Sequence, residues 1–181
     1  MFFVFFLLAG LVVSIVTFPG VIVHELAHVL FCRVARVAVF DVCYFRIGRT
    51  AGYVLHEPPP SPGHALLIAI GPLLVNTLLG ALIALPAAIP VLRLDTSSPF
   101  DYLSLWLGVS IAMHAFPSTE DAKRLWRSVV AGNADYAWKL VAAPLAILSY
   151  VGAIGRFFWL DLAYGVAVAL FLPALMVRIL A

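Results

Sequence analysis

Residues 2 to 32 form an almost unbroken apolar run, interrupted only by Pro19-Gly20 and by the ionisable side chains of His24, Glu25 and His28. At ~1.5 Å per helical residue, such a run exceeds the ~20 residues that cross a bilayer. It constrains the fold more than any other feature, because so long an apolar helix needs lipid or other helices all around it. Composition agrees: 64% of the 181 residues are hydrophobic, 11% are charged, and mean hydropathy is +1.09. Soluble domains carry about a quarter charged residues, so a water-facing surface cannot be covered here. The chain is expected to be an all-α polytopic membrane protein, one domain over residues 1–181.

Other classes are disfavoured. A formal charge of +2, with no basic run interleaved with aromatics, gives no footprint for nucleic acid. Two cysteines, Cys32 and Cys43, are too few for a disulfide framework. Met1 to Phe18 lacks a basic start and an A-x-A-like site, so it is expected to stay attached as part of the first membrane helix.

Along the chain, Pro19 either kinks one long rod or separates a short first helix from a second. The continuous kinked or broken rod is preferred, since two residues cannot easily reverse a full-length helix. The helix bearing the histidines is expected over about 20–36. Residues 37–56 are rich in β-branched and aromatic types, with a turn-like Ile47-Gly48-Arg49-Thr50-Ala51-Gly52, and predict a small β-hairpin. The proline-rich stretch from Glu57 to Gly63 is a linker that no helix passes through. A second membrane helix is expected over 64–89, with Gly71-Pro72 and Pro86 as candidate kinks, and a shorter one over Tyr102 to Phe116. Ser118 to Tyr136 holds the densest charge and predicts a surface segment opening with a helix. Apolar stretches over 137–156 and 160–180 complete a bundle of about four to six crossings.

Basic residues orient the bundle. Arg33, Arg36, Arg46 and Arg49 flank the first loop, Lys123, Arg124, Arg127 and Lys139 the third, and only Arg93 lies on the loop between. Two crossings separate the Arg-rich loops, so both should be cytoplasmic, with the hairpin near that face.

His24-Glu25-Leu26-Ala27-His28 is an H-E-x-x-H motif in a helical segment. A spacing of four puts both imidazoles on one face, one turn apart, where they can bind one ion. Neutral imidazole suits Zn²⁺, and a catalytic site leaves one position for water. Glu25 is placed to take that water's proton. Three ionisable groups in an apolar helix are costly in lipid, roughly 2.5–3.5 kcal/mol per charged residue at mid-bilayer, and such groups are functional by default. The bland reading is a set of His–Glu contacts between helices.

The stretch FPGVIVHELAHVLF resembles the metal-binding helix of site-2-protease-like intramembrane zinc metalloproteases. Gly71-Pro72-Leu73-Leu74-Val75-Asn76 is similar to that family's glycine-proline motif with its following asparagine, and residues 37–56 lie where the family places a small β-element. The resemblance covers roughly residues 18 to 122. It implies a third ligand, an aspartate following an asparagine-x-x-proline stretch and ending in Leu-Asp-Gly. Here the corresponding region, 114–122, reads His114-Ala-Phe-Pro117-Ser-Thr-Glu120-Asp121-Ala122, with histidine for the asparagine and the aspartate one residue closer to the proline. Asp121 is the chosen ligand, with Glu120 and His114 as alternatives. Asp121 also fits a helix-capping role with Ser118, and the two roles are compatible.

Depth is an independent consideration. His28 precedes Arg33 by about 7–8 Å of helix, His114 and Asp121 close a helix leaving on the same side, and Asn76 lies about 18 Å beyond His64. All can meet in the cytoplasmic half. Asn76 would either donate to the oxyanion of the reacting carbonyl or tie helices together. Cys32 is expected to be packing, His56 and His64 to lie at the membrane surface, and the four tryptophans to mark interfaces. The expected activity is zinc-dependent hydrolysis of peptide bonds in transmembrane or membrane-proximal substrates, facing the cytoplasm. The rival is a non-catalytic metal-binding membrane protein acting as a transport or interaction module.

Overall fold

The computed structural model describes residues 2–48, 51–94, 96–130, 135–155 and 158–180. Arg49, within the predicted hairpin turn, and residues 131–134 of the charged segment lie outside them. The described chain is mostly helical, with one small antiparallel sheet.

Helix α1 (Phe2–Val16) and helix α2 (Phe18–Val34) meet at Thr17, where the described part of the pair turns by 73°. Pro19 explains the break. It has no N–H for the carbonyl four residues back, and its ring crowds that turn. Thr17 accordingly leaves helical geometry, with φ −108° and ψ 27°. The bend is strapped to its neighbours by Ser110, whose hydroxyl donates to Thr17 O at 3.0 Å and accepts from Gly20 N–H at 3.2 Å.

Strands β1 (Val39–Cys43) and β2 (Tyr53–His56) pair with Val42 opposite Val54 and a bulge between Val39 and Asp41. This is the hairpin predicted over 37–56. Tyr53 donates its hydroxyl to Asp41 Oδ2 at 2.7 Å across the pair. The linker then delivers the chain to helix α3 (Pro62–Ile89), capped by Ser61, whose hydroxyl accepts from His64 N–H at 3.4 Å. Pro72 and Pro86 lie inside α3, which stays one helix. A π-helical turn follows over Pro90–Leu94.

Helix α4 (Pro99–Met113) begins earlier than the expected Tyr102, because Ser98 and Asp101 form a capping box ahead of it. It ends before Phe116, since the residues leading to Pro117 avoid helical geometry. Helix α5 (Thr119–Leu125) is short and continues as a π-helical turn over Trp126–Val130. Helix α6 (Tyr136–Gly155) is followed by α7 (Leu160–Val166), a π-helical turn over Ala167–Phe171 and α8 (Leu172–Leu180).

The centre of the molecule is the packing of α3 against α2 and α4. A Cβ on Gly80 of α3 would stand 2.7 Å from Gly108 O of α4, so only glycine permits this approach. Asn76, fully buried, joins the three helices, its Nδ2 donating to Gly20 O at 3.1 Å and to Ile111 O at 3.0 Å. Cys32 packs with Ala35, Val37 and Ile68, in the packing role expected of it.

Among the described residues, one helix, Pro62–Ala88, is long and apolar enough to cross a membrane alone. The bent pair α1–α2 makes a second when taken as one span. The other apolar helices are shorter, Tyr136–Gly152 and Leu160–Leu175 among them. Among the described residues, one or two spans thus reach crossing length, where four to six membrane segments were expected along the chain.

Candidate metal centre

The site starts from α2. Its buried face carries Gly20, Val21, His24, Glu25, His28 and Cys32, and its opposite face carries the exposed Leu26, Leu30 and Val34. The i, i+4 spacing therefore does what it predicts: the His24 and His28 rings stand edge to face, with centroids 4.9 Å apart.

Helix α5 supplies the third group. Ser118 caps it, and Asp121, three residues on, closes the capping box by accepting from Ser118 N–H at 2.9 Å and Ser118 Oγ–H at 2.6 Å. The accepting oxygen, Oδ2, lies 3.4 Å from His28 Nε2 and 3.8 Å from His24 Nε2. One ligand atom from each of the three residues falls within 4.8 Å of the others. Ligands at about 2.0–2.2 Å around a tetrahedral ion stand about 3.3–3.5 Å from one another, so the cluster needs little adjustment to close on one.

Proton bookkeeping tests whether an ion fits. His24 Nδ1 lies 2.7 Å from His114 O, a carbonyl that can only accept, so Nδ1 carries the proton. In the neutral ring Nε2 then turns its lone pair toward Asp121. His28 Nε2 is buried without a hydrogen-bond partner. A lone pair facing an anionic oxygen is repelled unless a proton or a metal ion stands between them. The donor set of two imidazoles and a carboxylate fits a divalent metal. Burial works against charge on Asp121, but with protons rather than a metal ion between them His28 and His24 hold its carboxyl well below the usual carboxylate range.

The alternatives for the third position line the same cavity as these three residues, but their side chains have other partners. Glu120 is exposed and gives its carboxylate to Lys123 Nζ at 2.7 Å, which lowers its pKa. The His114 ring sits 2.9 Å from Thr17 Oγ1, and since that hydroxyl donates to Val13 O, His114 Nε2 is the donor. His114 serves the centre through its backbone carbonyl, which orients His24, as outer partners of metal-binding histidines commonly do.

Glu25 and the triad face one cavity of about 640 Å³, together with Gly52, Tyr53 and His56 of the hairpin and Arg124 of α5. Gly52 lies directly on Glu25: a Cβ there would stand 2.7 Å from both Glu25 Cγ and Oε1. The hairpin is in turn held by Arg124, whose Nη1 donates to Val54 O at 3.2 Å.

Asn76 is not part of this arrangement. Of its two expected readings, an oxyanion donor or a tie between helices, the hydrogen bonds match the tie: Nδ2 donates to carbonyls of α2 and α4. His56 lines the cavity beside His28 and Asp121. Burial lowers its pKa, opposed by its bond to the Glu57 carbonyl. Sequence reasoning also passed over Arg124 and Gly52. Arg124 was legible, since it follows Asp121 by three residues and so shares its helical face. Nothing local marked Gly52, whose contact with Glu25 joins segments far apart in the chain. No family model, no curated protein and no solved structure matches this chain in comparisons with known proteins.

Proposed function

We propose that the chain is a zinc-dependent peptide hydrolase embedded in a membrane, crossing it several times. The observation that carries the proposal is the convergence of His24, His28, Asp121 and Glu25 on one cavity. His24 Nε2, His28 Nε2 and an Asp121 oxygen would hold the ion, and the carboxylate would reduce the charge of the bis-imidazole site. Zinc bound there polarises a carbonyl and makes water acidic near neutral pH. Glu25 is the proton carrier: its carboxylate takes a proton as water attacks the scissile carbonyl carbon, then delivers it to the leaving nitrogen as the C–N bond breaks. Gly52, resting on Glu25, limits where that carboxylate can point. The seating of Glu25 in the same cavity favours hydrolysis over a non-catalytic metal site.

Membrane embedding draws support from the outward faces. Leu26, Leu30 and Val34 on α2, and Leu74, Leu78 and Leu82 on α3, form exposed apolar stripes at helical spacing. Water-soluble proteins rarely leave such contiguous stripes open, whereas lipid accepts them. The hairpin and α5 meet through Arg124 and Val54, which agrees with both Arg-rich loops lying on one side, taken as cytoplasmic from the charge pattern.

The deciding experiment is Glu25→Gln with peptide turnover and zinc content measured on the same preparation. Retained zinc with lost turnover is the expected result. A variant as active as the parent overturns the hydrolytic role of Glu25.

A further inference from the structure

A second cavity, of about 470 Å³, opens on the other side of the His28–Asp121 pair. His28, His56, Asp121 and Arg124 line both cavities, so these four side chains form the wall between them. Beyond that wall the lining is mostly apolar: Leu55 of β2, Pro58 of the linker, Ala65, Ile68 and Ala69 of α3, and Leu125 of α5. Ala65 and Ala69 stand one turn apart on α3, and their small side chains take up little of that space. The reaction as derived makes no use of it.

We infer that this cavity receives one large apolar side chain of the peptide substrate, from a residue flanking the scissile bond. The inference rests on the hydrolase reading above and names what that site selects. The two Cα atoms joined by a scissile bond beside Glu25 and the triad stand about 3.8 Å apart, close enough for one of them to place a side chain across the His28–Asp121 wall. Successive side chains of an extended peptide point to opposite sides, so one flanking residue enters the cavity and its neighbour does not. The volume lies within the about 300–1,000 Å³ of ordinary ligand pockets. Arg124 and Arg127, also in the lining, disfavour lysine and arginine there by like charge, and the apolar walls disfavour any polar side chain left without a partner.

The test uses the full chain in detergent. A random-sequence peptide mixture is digested and the cut sites are read by mass spectrometry. Peptides differing only at the selected position are then compared. Leucine or phenylalanine should exceed alanine by about 10-fold or more in kcat/KM, the range that apolar pockets reach, and lysine should be worst. Leu55→Trp should shift the preference toward small side chains; Leu55 is 48% exposed, so the fold tolerates the change. A reading independent of turnover comes from Glu25→Gln with a peptide carrying photo-leucine at that position, which should crosslink to residues 55–69 or Leu125. Turnover without side-chain discrimination, crosslinks elsewhere, or a retained phospholipid that blocks the crosslink each overturn the pocket. Crosslinking at the expected residues with no turnover in the unmutated chain keeps the pocket and overturns hydrolysis instead.

Discussion

Asp121 uses a single oxygen, Oδ2, both to cap α5 through Ser118 at 2.6 Å and to face His28 Nε2 at 3.4 Å. The cap and the proposed metal centre are therefore mechanically one object. Ser118→Ala removes a hydroxyl that never touches the histidines, yet it should loosen both. The cap loss alone should cost about 1 kcal/mol of stability. Zinc affinity should fall by about 10–100-fold, as for other outer partners of metal ligands. Thermal unfolding in detergent and chelator competition read the two effects. Unchanged affinity in a destabilised variant would show that Asp121 is held by something other than its cap.

Metal content separates the candidate ligands. The purified protein should carry about one zinc per chain, and His24→Ala, His28→Ala or Asp121→Ala should strip it. Glu120→Ala should leave zinc and turnover unchanged, because that carboxylate is turned outward to Lys123. Elemental analysis decides. Loss of metal from the Glu120 variant with retention in the Asp121 variant would place the ligand one residue earlier.

Gly52→Ala probes the proton carrier without touching a ligand. The added Cβ meets Glu25 Cγ and Oε1 at 2.7 Å, so either the carboxylate or the hairpin must shift. Misplacement of a reacting group by ~1 Å can cost on the order of 100-fold in rate. The expected outcome is a fall in kcat of that order at full zinc occupancy. Normal kcat would mean that the hairpin moves aside and that Glu25 is positioned from α2 alone.

Single cysteines at Arg46 and Arg127, introduced with both native cysteines replaced, should label from the same side of sealed spheroplasts. The hairpin and α5 are joined by the Arg124–Val54 bond at 3.2 Å, so opposite labelling would contradict the fold as well as the topology.

What was legible from sequence was mostly local. The histidine pair, the hairpin and the Ser118 cap each depend on residues a few positions apart, whose geometry the helical or strand period dictates. The choice between Glu120 and Asp121 was harder, since adjacent helical residues differ by about 100° and only the cap's phase decides which one turns inward. The role of Asn76 was half legible: a tie between helices was one of its two readings, but its partners, Gly20 and Ile111, belong to other helices and left no local mark. Helix ends were also obscured. Composition marks a stretch as apolar, but caps and prolines set its length, as Ser98 and Asp101 do for α4.

His24 takes its orientation from the main-chain carbonyl of residue 114 rather than from a side chain. A carbonyl is carried by every amino acid, so this support survives any substitution at that position that leaves the backbone path intact. The imidazole of His114 is therefore not what orients His24. What the position does not tolerate is a change of spacing. One residue inserted in the last turn of α4, ahead of His114, would carry the carbonyl off His24 while leaving every side chain in the chain unaltered. A scan of substitutions would pass over this vulnerability; a scan of insertions would find it.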